Sequence, residues 1–157
     1  MRWWSLLLAA LAPVLVQSCP QAVKSLCQCE LWFSGLHLDC SYLDFDEVIG
    51  TLKEQKSPIH RLKVHHSDIG SLQERHPRLI DTDAFSGQAE ILEELSITDN
   101  PLALFPSLGA MPELTSLDLS GNQLTSIPEK AFANTPKLKQ LRLERNNICA
   151  LSSTRTP

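Results

Sequence analysis

LTSLDLSGNQLTSI, residues 114–127, decides the fold. Its apolar residues fall at Leu114, Leu117, Leu119, Leu124 and Ile127, with Asn122 at the turn between them. The L-x-L core alternates, so Leu117 and Leu119 point inward from a short strand while Asp118 points to the opposite face. An asparagine directly after such a strand turns the chain, and its amide can satisfy turn backbone groups that would otherwise be buried unpaired. The same pattern recurs at Leu92, Leu95, Ile97, Asn100, Leu102, Phe105 and at Leu138, Leu141, Leu143, Asn146, Ile148, Leu151. A degenerate copy precedes them at Ile59, Leu62, Val64, Ser67, Ile69, Leu72. First positions are 33, 22 and 24 residues apart. A unit that cannot bury its apolar face alone must stack on its neighbours, and repeats of this length predict a solenoid whose short strands form a parallel sheet.

Stacking places Asn100, Asn122 and Asn146 one above another as a structural ladder. Ser67 holds that position in the first copy with a shorter side chain, which predicts a less well satisfied turn. The return segments are expected to be irregular or a short helical turn. Ala84-Phe85 and Ala131-Phe132 stand at similar distances before the next repeat, and the two phenylalanines are expected to plug the convex core. The polar stretch Gln73 to Arg78, with Pro77, accounts for the wide first spacing as a surface bulge.

The chain opens with Arg2, an apolar run from Leu6 to Val16, and Val16-Gln17-Ser18 before Cys19, which reads as a secretory signal over residues 1–18. The run, interrupted by Pro13, is too short for a membrane span of about 20 residues. Removing Arg2 with the leader leaves 13 basic residues against 18 acidic ones, a net charge of −5 that argues against nucleic acid or anionic membrane as partner. In an exported chain the five cysteines read first as disulfides. Four of them, Cys19, Cys27, Cys29 and Cys40, crowd the front in a pattern whose spacing alone permits three pairings. The spacing Cys27-Gln28-Cys29 is tighter than a usual structural zinc pair, so a metal is not expected there. Leu36-His37-Leu38 suits a cap strand closed by Cys40. Asp44 to Gln55 suits a helix, with Phe45, Val48, Ile49 and Leu52 on one stripe and Asp44 with Glu47 as capping box, stopping at Ser57-Pro58. Disulfides and helix together cover the open edge of the sheet.

A cysteine cluster of this form directly before the repeats resembles the N-terminal cap of extracellular leucine-rich repeat proteins, over Cys19 to Leu151. The resemblance implies an α/β repeat solenoid, a horseshoe with short parallel strands on its concave face and an N-terminal disulfide cap. It also implies Cys19 paired with Cys29 and Cys27 with Cys40. The domains then read as a leader at 1–18, the cysteine cap and capping helix at 19–58, about four repeats at 59–151, and a disordered tail at 152–157 where the repeats are cut short. More narrowly, the opening MRWWSLLLAALAPVLVQSCP, the CxC, Asp39-Cys40-Ser41 and the wide first repeat are similar to secreted arthropod leucine-rich proteins typified by the non-catalytic subunit of decapod (Oplophorus) luciferase. That likeness implies an accessory subunit of a secreted enzyme.

Proteins of this build bind through the side chains that project from the concave sheet. Those positions are His60, Arg61, Lys63, His65 and His66, then Glu93, Glu94, Ser96, Thr98 and Asp99. Thr115, Ser116, Asp118 and Ser120 follow, then Lys139, Gln140, Arg142, Glu144 and Arg145. The face is thus striped basic, acidic, neutral and basic, and alternating potentials fix register with a partner. His60, His65 and His66 are expected to be a solvated cluster, because adjacent strand residues point apart and cannot share one ion. Phosphate-loop, GxSxG and HExxH motifs are absent, and Asp81 and Asp83 sit in a loop-like stretch without an acid-base partner, so neither catalysis nor a cofactor is expected. Asn134-Thr135-Pro136 fails as a glycosylation acceptor at its third position.

Cys149 has no evident partner. Continuation of the repeats beyond residue 157, a bridge between two chains through Cys149, and cover by another subunit all fit, and the aperiodic tail points to the first. The reading is a secreted module that binds an extracellular protein ligand or a secreted enzyme; its alternative is a fragment of a cell-surface receptor ectodomain.

Overall fold

A computed structural model describes residues 19–43, 45–54, 57–67 and 85–151. The leader, the tail, the bulge Gln73–Arg78, and Ile69, Leu72, Asp81, Asp83, Ala84 and the capping residue Asp44 lie outside the described residues. In chain order come α1 (Gln21–Lys24), β1 (Gln28–Trp32), β2 (Gly35–Asp39), α2 (Phe45–Glu54), β3 (Ile59–His65), β4 (Glu94–Thr98), β5 (Ser116–Asp118), β6 (Ser126–Ile127), β7 (Gln140–Arg142) and β8 (Ala150–Leu151). One sheet of six strands runs in the order β1-β2-β3-β4-β5-β7, and β6 with β8 forms a second, two-stranded parallel sheet.

The alternating leucines set the register. Leu38, Leu62, Leu95, Leu117 and Leu141 stand opposite one another across β2, β3, β4, β5 and β7, all parallel. A one-residue slip would turn every one of them to the other face, so the pattern specifies the pairing. Leu62, Leu95 and Leu117 are at most 2% exposed, and the second apolar row, Val64, Ile97 and Leu119, is fully buried. Leu141 is 39% exposed, because β7 has no further strand beside it among the described residues. Behind the sheet, Leu92, Leu102, Phe105, Leu108, Met111, Leu114 and Leu124 complete the core. Phe85 is buried there, while Phe132 is half-buried and meets Phe105 edge to face at 5.6 Å. Burial of each such side chain contributes roughly 1.5–3 kcal/mol.

At the front, Cys19 is joined to Cys29 and Cys27 to Cys40, the same pairs that the resemblance implies. The helix α2 buries Val48, Ile49 and Leu52 beside them. One element escapes the periodic reading. β1 pairs antiparallel with β2, from Gln28 opposite Asp39 to Trp32 opposite Gly35, and makes a hairpin on the outer edge. Its residues Gln28, Glu30, Leu31 and Trp32 are exposed, so it carries no buried alternation to betray it.

Candidate functional site

The face opposite the core is a grid of side chains from successive repeats. One row runs His37, Arg61, Glu94, Ser116, Gln140, and the next runs Asp39, Lys63, Ser96, Asp118, Arg142. Strands lie about 4.8 Å apart, so neighbours in a row touch. The charges are turned sideways onto each other. Arg61 Nη2 sits 2.6 Å from Glu94 Oε1, Lys63 Nζ 3.7 Å from Asp39 Oδ2, and Arg142 Nη1 3.6 Å from Asp118 Oδ2. His65 Nε2 is 3.6 Å from Asp39 Oδ1. The stripes expected from the sequence are therefore largely matched laterally, and the middle of the face is left to the hydroxyls of Ser96, Thr98, Thr115 and Ser116. Exposed ion pairs of this kind contribute about 0–1 kcal/mol each and serve to fix side-chain positions.

The expected site residues occupy different settings. Glu93, Lys139 and Gln140 are exposed. His60 is half-buried, and its ring packs where a Cβ at Gly35 would stand 2.0 Å from Nδ1; Gly35 there has φ +132°. It seats the front hairpin rather than facing outward, and its Nδ1 is buried without a hydrogen bond. His65 and His66 were expected on opposite sides, yet their ring centroids lie 5.2 Å apart, and Tyr42 stacks on His66 at 5.3 Å. The reason is backbone: His66 has φ +50°, which breaks strand alternation at the end of β3. Among the described residues no group of three or more His, Cys, Asp or Glu is placed to hold a metal ion.

That left-handed residue belongs to a series. Tyr42 (φ 61°), His66 (φ 50°), Asp99 (φ 54°), Gly121 (φ 71°) and Arg145 (φ 55°) follow one another along the sheet end, one per strand, and the last four each precede the ladder position. Arg145 Nη2 reaches Asp99 Oδ1 at 3.1 Å, two repeats away, across Gly121. The strand-end turns are anchored by the asparagines. Asn100 Nδ2 donates to the carbonyls of Val64 (3.1 Å) and Thr98 (2.8 Å), while its Oδ1 accepts from Ser67 N at 2.7 Å. Asn122 Nδ2 donates to Ile97 O at 2.7 Å and Leu119 O at 2.8 Å. Asn146 Nδ2 donates to Leu119 O (2.8 Å) and Leu143 O (2.9 Å), and its Oδ1 accepts from Leu124 N at 3.1 Å. Ser67 Oγ reaches Cys40 O only at 3.4 Å, the looser link its short side chain predicts. Ser120 Oγ donates to Glu144 Oε2 at 2.7 Å, and this bond holds the Glu144 carboxyl below its usual range.

Two features had no counterpart in the sequence reading. Gln88, nearly fully buried, accepts Ile59 N on Oε1 at 2.9 Å and so ties the return segment to the first residue of β3. The hairpin tip exposes Leu31 (46%), Trp32 (56%) and Phe33 (114%). Trp32 stacks on His37 at 5.0 Å and donates from Nε1 to Glu30 Oε2 at 3.0 Å. Burial, then the nearby Arg61 guanidinium, lowers the His37 pKa. The adjacent Leu31-Trp32-Phe33 in a cysteine-rich front was the available signal for an exposed apolar tip.

Comparison with known proteins agrees with this architecture. Residues 92–148 match the family described as leucine rich repeat. The chain is 32% identical over 147 residues to leucine-rich repeat-containing protein egg-6 of Caenorhabditis elegans, covering 84% of this chain and 15% of that protein. It is 29% identical over 142 residues to Toll-like receptor 2 type-1 of Gallus gallus, covering 82% of this chain and 18% of the receptor. The chain thus spans less than a fifth of the length of either relative. Neither is a luciferase component, and the narrower likeness to one gains no support from them. Among the described residues no helix is long and apolar enough to cross a membrane. The parallel ladder and the repeat match agree that residues 92–148 carry leucine-rich repeats, stacked behind a front that two disulfides close.

Proposed function

We propose that the chain is an extracellular protein-binding module that captures its partner on the outward face of the six-stranded sheet, acting by contact rather than by turnover. The observation that supports this most directly is the grid itself. Residues far apart in sequence stand in fixed rows, held from below by buried leucines and at the strand ends by Asn100, Asn122 and Asn146. A preorganised surface loses little conformational freedom on association, so weak polar contacts add up to a specific interface. The two disulfides and the likeness to a receptor support an extracellular or cell-surface setting.

A photo-crosslinking side chain placed at Ser96 or Ser116, and for comparison at Lys130 off the face, tests the proposal in medium and on cells of the producing tissue. The face positions should trap a protein that Lys130 does not; equal trapping from all three would refute it. A trapped partner that proves to be a secreted enzyme would make the chain its accessory subunit.

The likeness to a Toll-like receptor favours a second reading, in which these residues are part of a cell-surface receptor ectodomain. Fractionation of the natural gene product decides it: recovery in membranes at a larger mass supports the receptor, and recovery in the medium at about the mass of this sequence removes it.

A further inference from the structure

We infer that the recess over β4, β5 and β7 accepts the carboxylate of an acidic side chain on the partner protein. This rests on the reading of the sheet face as the partner surface and adds a chemical class to it. The recess arises from side-chain length. Thr115 and Ser116 of the middle strand are short, whereas Glu94 on one flank and Lys139, Gln140 and Arg142 on the other are long, which leaves an open hollow of about 400 Å³.

Its two rims differ in what they have left to offer. On the β4 rim, the Glu94 carboxylate is already held by Arg61 at 2.6 Å. The Thr115 hydroxyl donates to Glu93 O at 3.2 Å. On the β7 rim, Arg142 is 59% exposed and lies 3.6 Å from Asp118, beyond hydrogen-bond length. Lys139 is exposed and makes no ion pair among the described residues, although its backbone N is fixed to Thr115 O at 2.9 Å. An ammonium, a guanidinium and the Gln140 amide therefore border one side of the hollow with donors to spare, and an acceptor of negative charge completes them. A polyanion such as a sulfated glycan fits poorly, because Glu94 and Asp118 line the same surface and the whole chain carries a net charge of −4. A basic segment would meet Lys139 and Arg142 head-on. A single Asp or Glu side chain, on an extended or helical segment, matches the size and the sign.

The test uses the full chain and fluorescein-labelled short peptides, identical but for a central Glu, Gln or Lys, followed by anisotropy at low ionic strength, with a heparin hexasaccharide as a further probe. The Glu peptide should bind and the Gln and Lys peptides should not. Lys139→Glu and Arg142→Glu should each weaken it about tenfold, because attraction becomes repulsion. Lys130→Glu, the same charge change away from the face, should leave it unaltered. Circular dichroism of each variant shows that it is folded. Insensitivity to Lys139→Glu, an equal loss with Lys130→Glu, or binding of the hexasaccharide without the Glu peptide overturns the inference. If Ser96 and Ser116 trap a protein whose capture ignores Lys139→Glu, the acidic-site inference fails and the face reading stands. If the Glu peptide binds as expected while the face traps nothing, the recess takes carboxylates but the face reading fails, and the assignment to a partner's side chain fails with it.

Discussion

Replacing Gly121 by alanine should destabilise this fold measurably. Gly121 has φ +71°, a region that costs an L-residue about 1–2 kcal/mol. The new Cβ would stand 2.1 Å from Asp99 Oδ1 and 3.1 Å from Asp99 N. The carboxylate can swing away only by leaving Arg145, an exposed pair worth about 0–1 kcal/mol. The backbone N cannot give, since it is bonded to Ser120 O at 3.0 Å while Gly121 N is bonded to Glu144 O at 2.8 Å. The sum is about 1–3 kcal/mol, or roughly 3–12 °C in Tm for a domain of this size. Thermal unfolding of Gly121→Ala, Asp99→Ala and the double variant measures it. If the carboxylate is the obstacle, the double variant loses less than the two single losses added together. A Tm within 2 °C of the parent, or strict additivity, would refute the reasoning.

Other perturbations have equally defined outcomes. Cys27→Ser with Cys40→Ser opens a bridge of sequence separation 13 between two buried positions, and denaturant titration should show a loss of about 3 kcal/mol; no change would mean that the bridge does not secure the front. Asn146→Ala removes the donor to Leu119 O and Leu143 O, and should cost about 1–3 kcal/mol, with faster hydrogen exchange at Leu124 N, whose acceptor is Asn146 Oδ1. Glu144 titrates below the ordinary range of a glutamate carboxyl because Ser120 donates to its charged form, so its contribution is present above the ordinary pKa and is lost as pH falls through the depressed folded one. Ser120→Ala should move the carboxyl NMR titration midpoint up; an unmoved midpoint contradicts the bond.

Much of the fold was legible because buried leucines obey a strict period. The rows Leu62, Leu95, Leu117 and Val64, Ile97, Leu119 can be written down by aligning the repeats, and so can the rows of the exposed face. That Arg61 lies opposite Glu94 follows from the same alignment; that their side chains meet, and so leave Lys139 rather than Glu94 unmatched, depends on rotamers that no pattern encodes. The left-handed series was hidden for a chemical reason. Glycine and Asp tolerate positive φ and hint at it in Gly121 and Asp99, but Tyr42, His66 and Arg145 adopt it only because the stacked turns compel them. This misled the placement of His65 and His66, since alternation ends one residue sooner than a strand reading assumes. β1 was missed because an edge strand held by cysteines needs no apolar alternation.

The reversed sense of β1 also limits how copies of this molecule can join. Each repeat grows on a neighbour pointing its own way, whereas the front edge offers a template of opposite direction, locked by Cys19–Cys29. A strand of a second molecule laid against it in the direction of the repeats could not continue the coil-on-coil pattern, so elongation from the front edge is obstructed at its first junction.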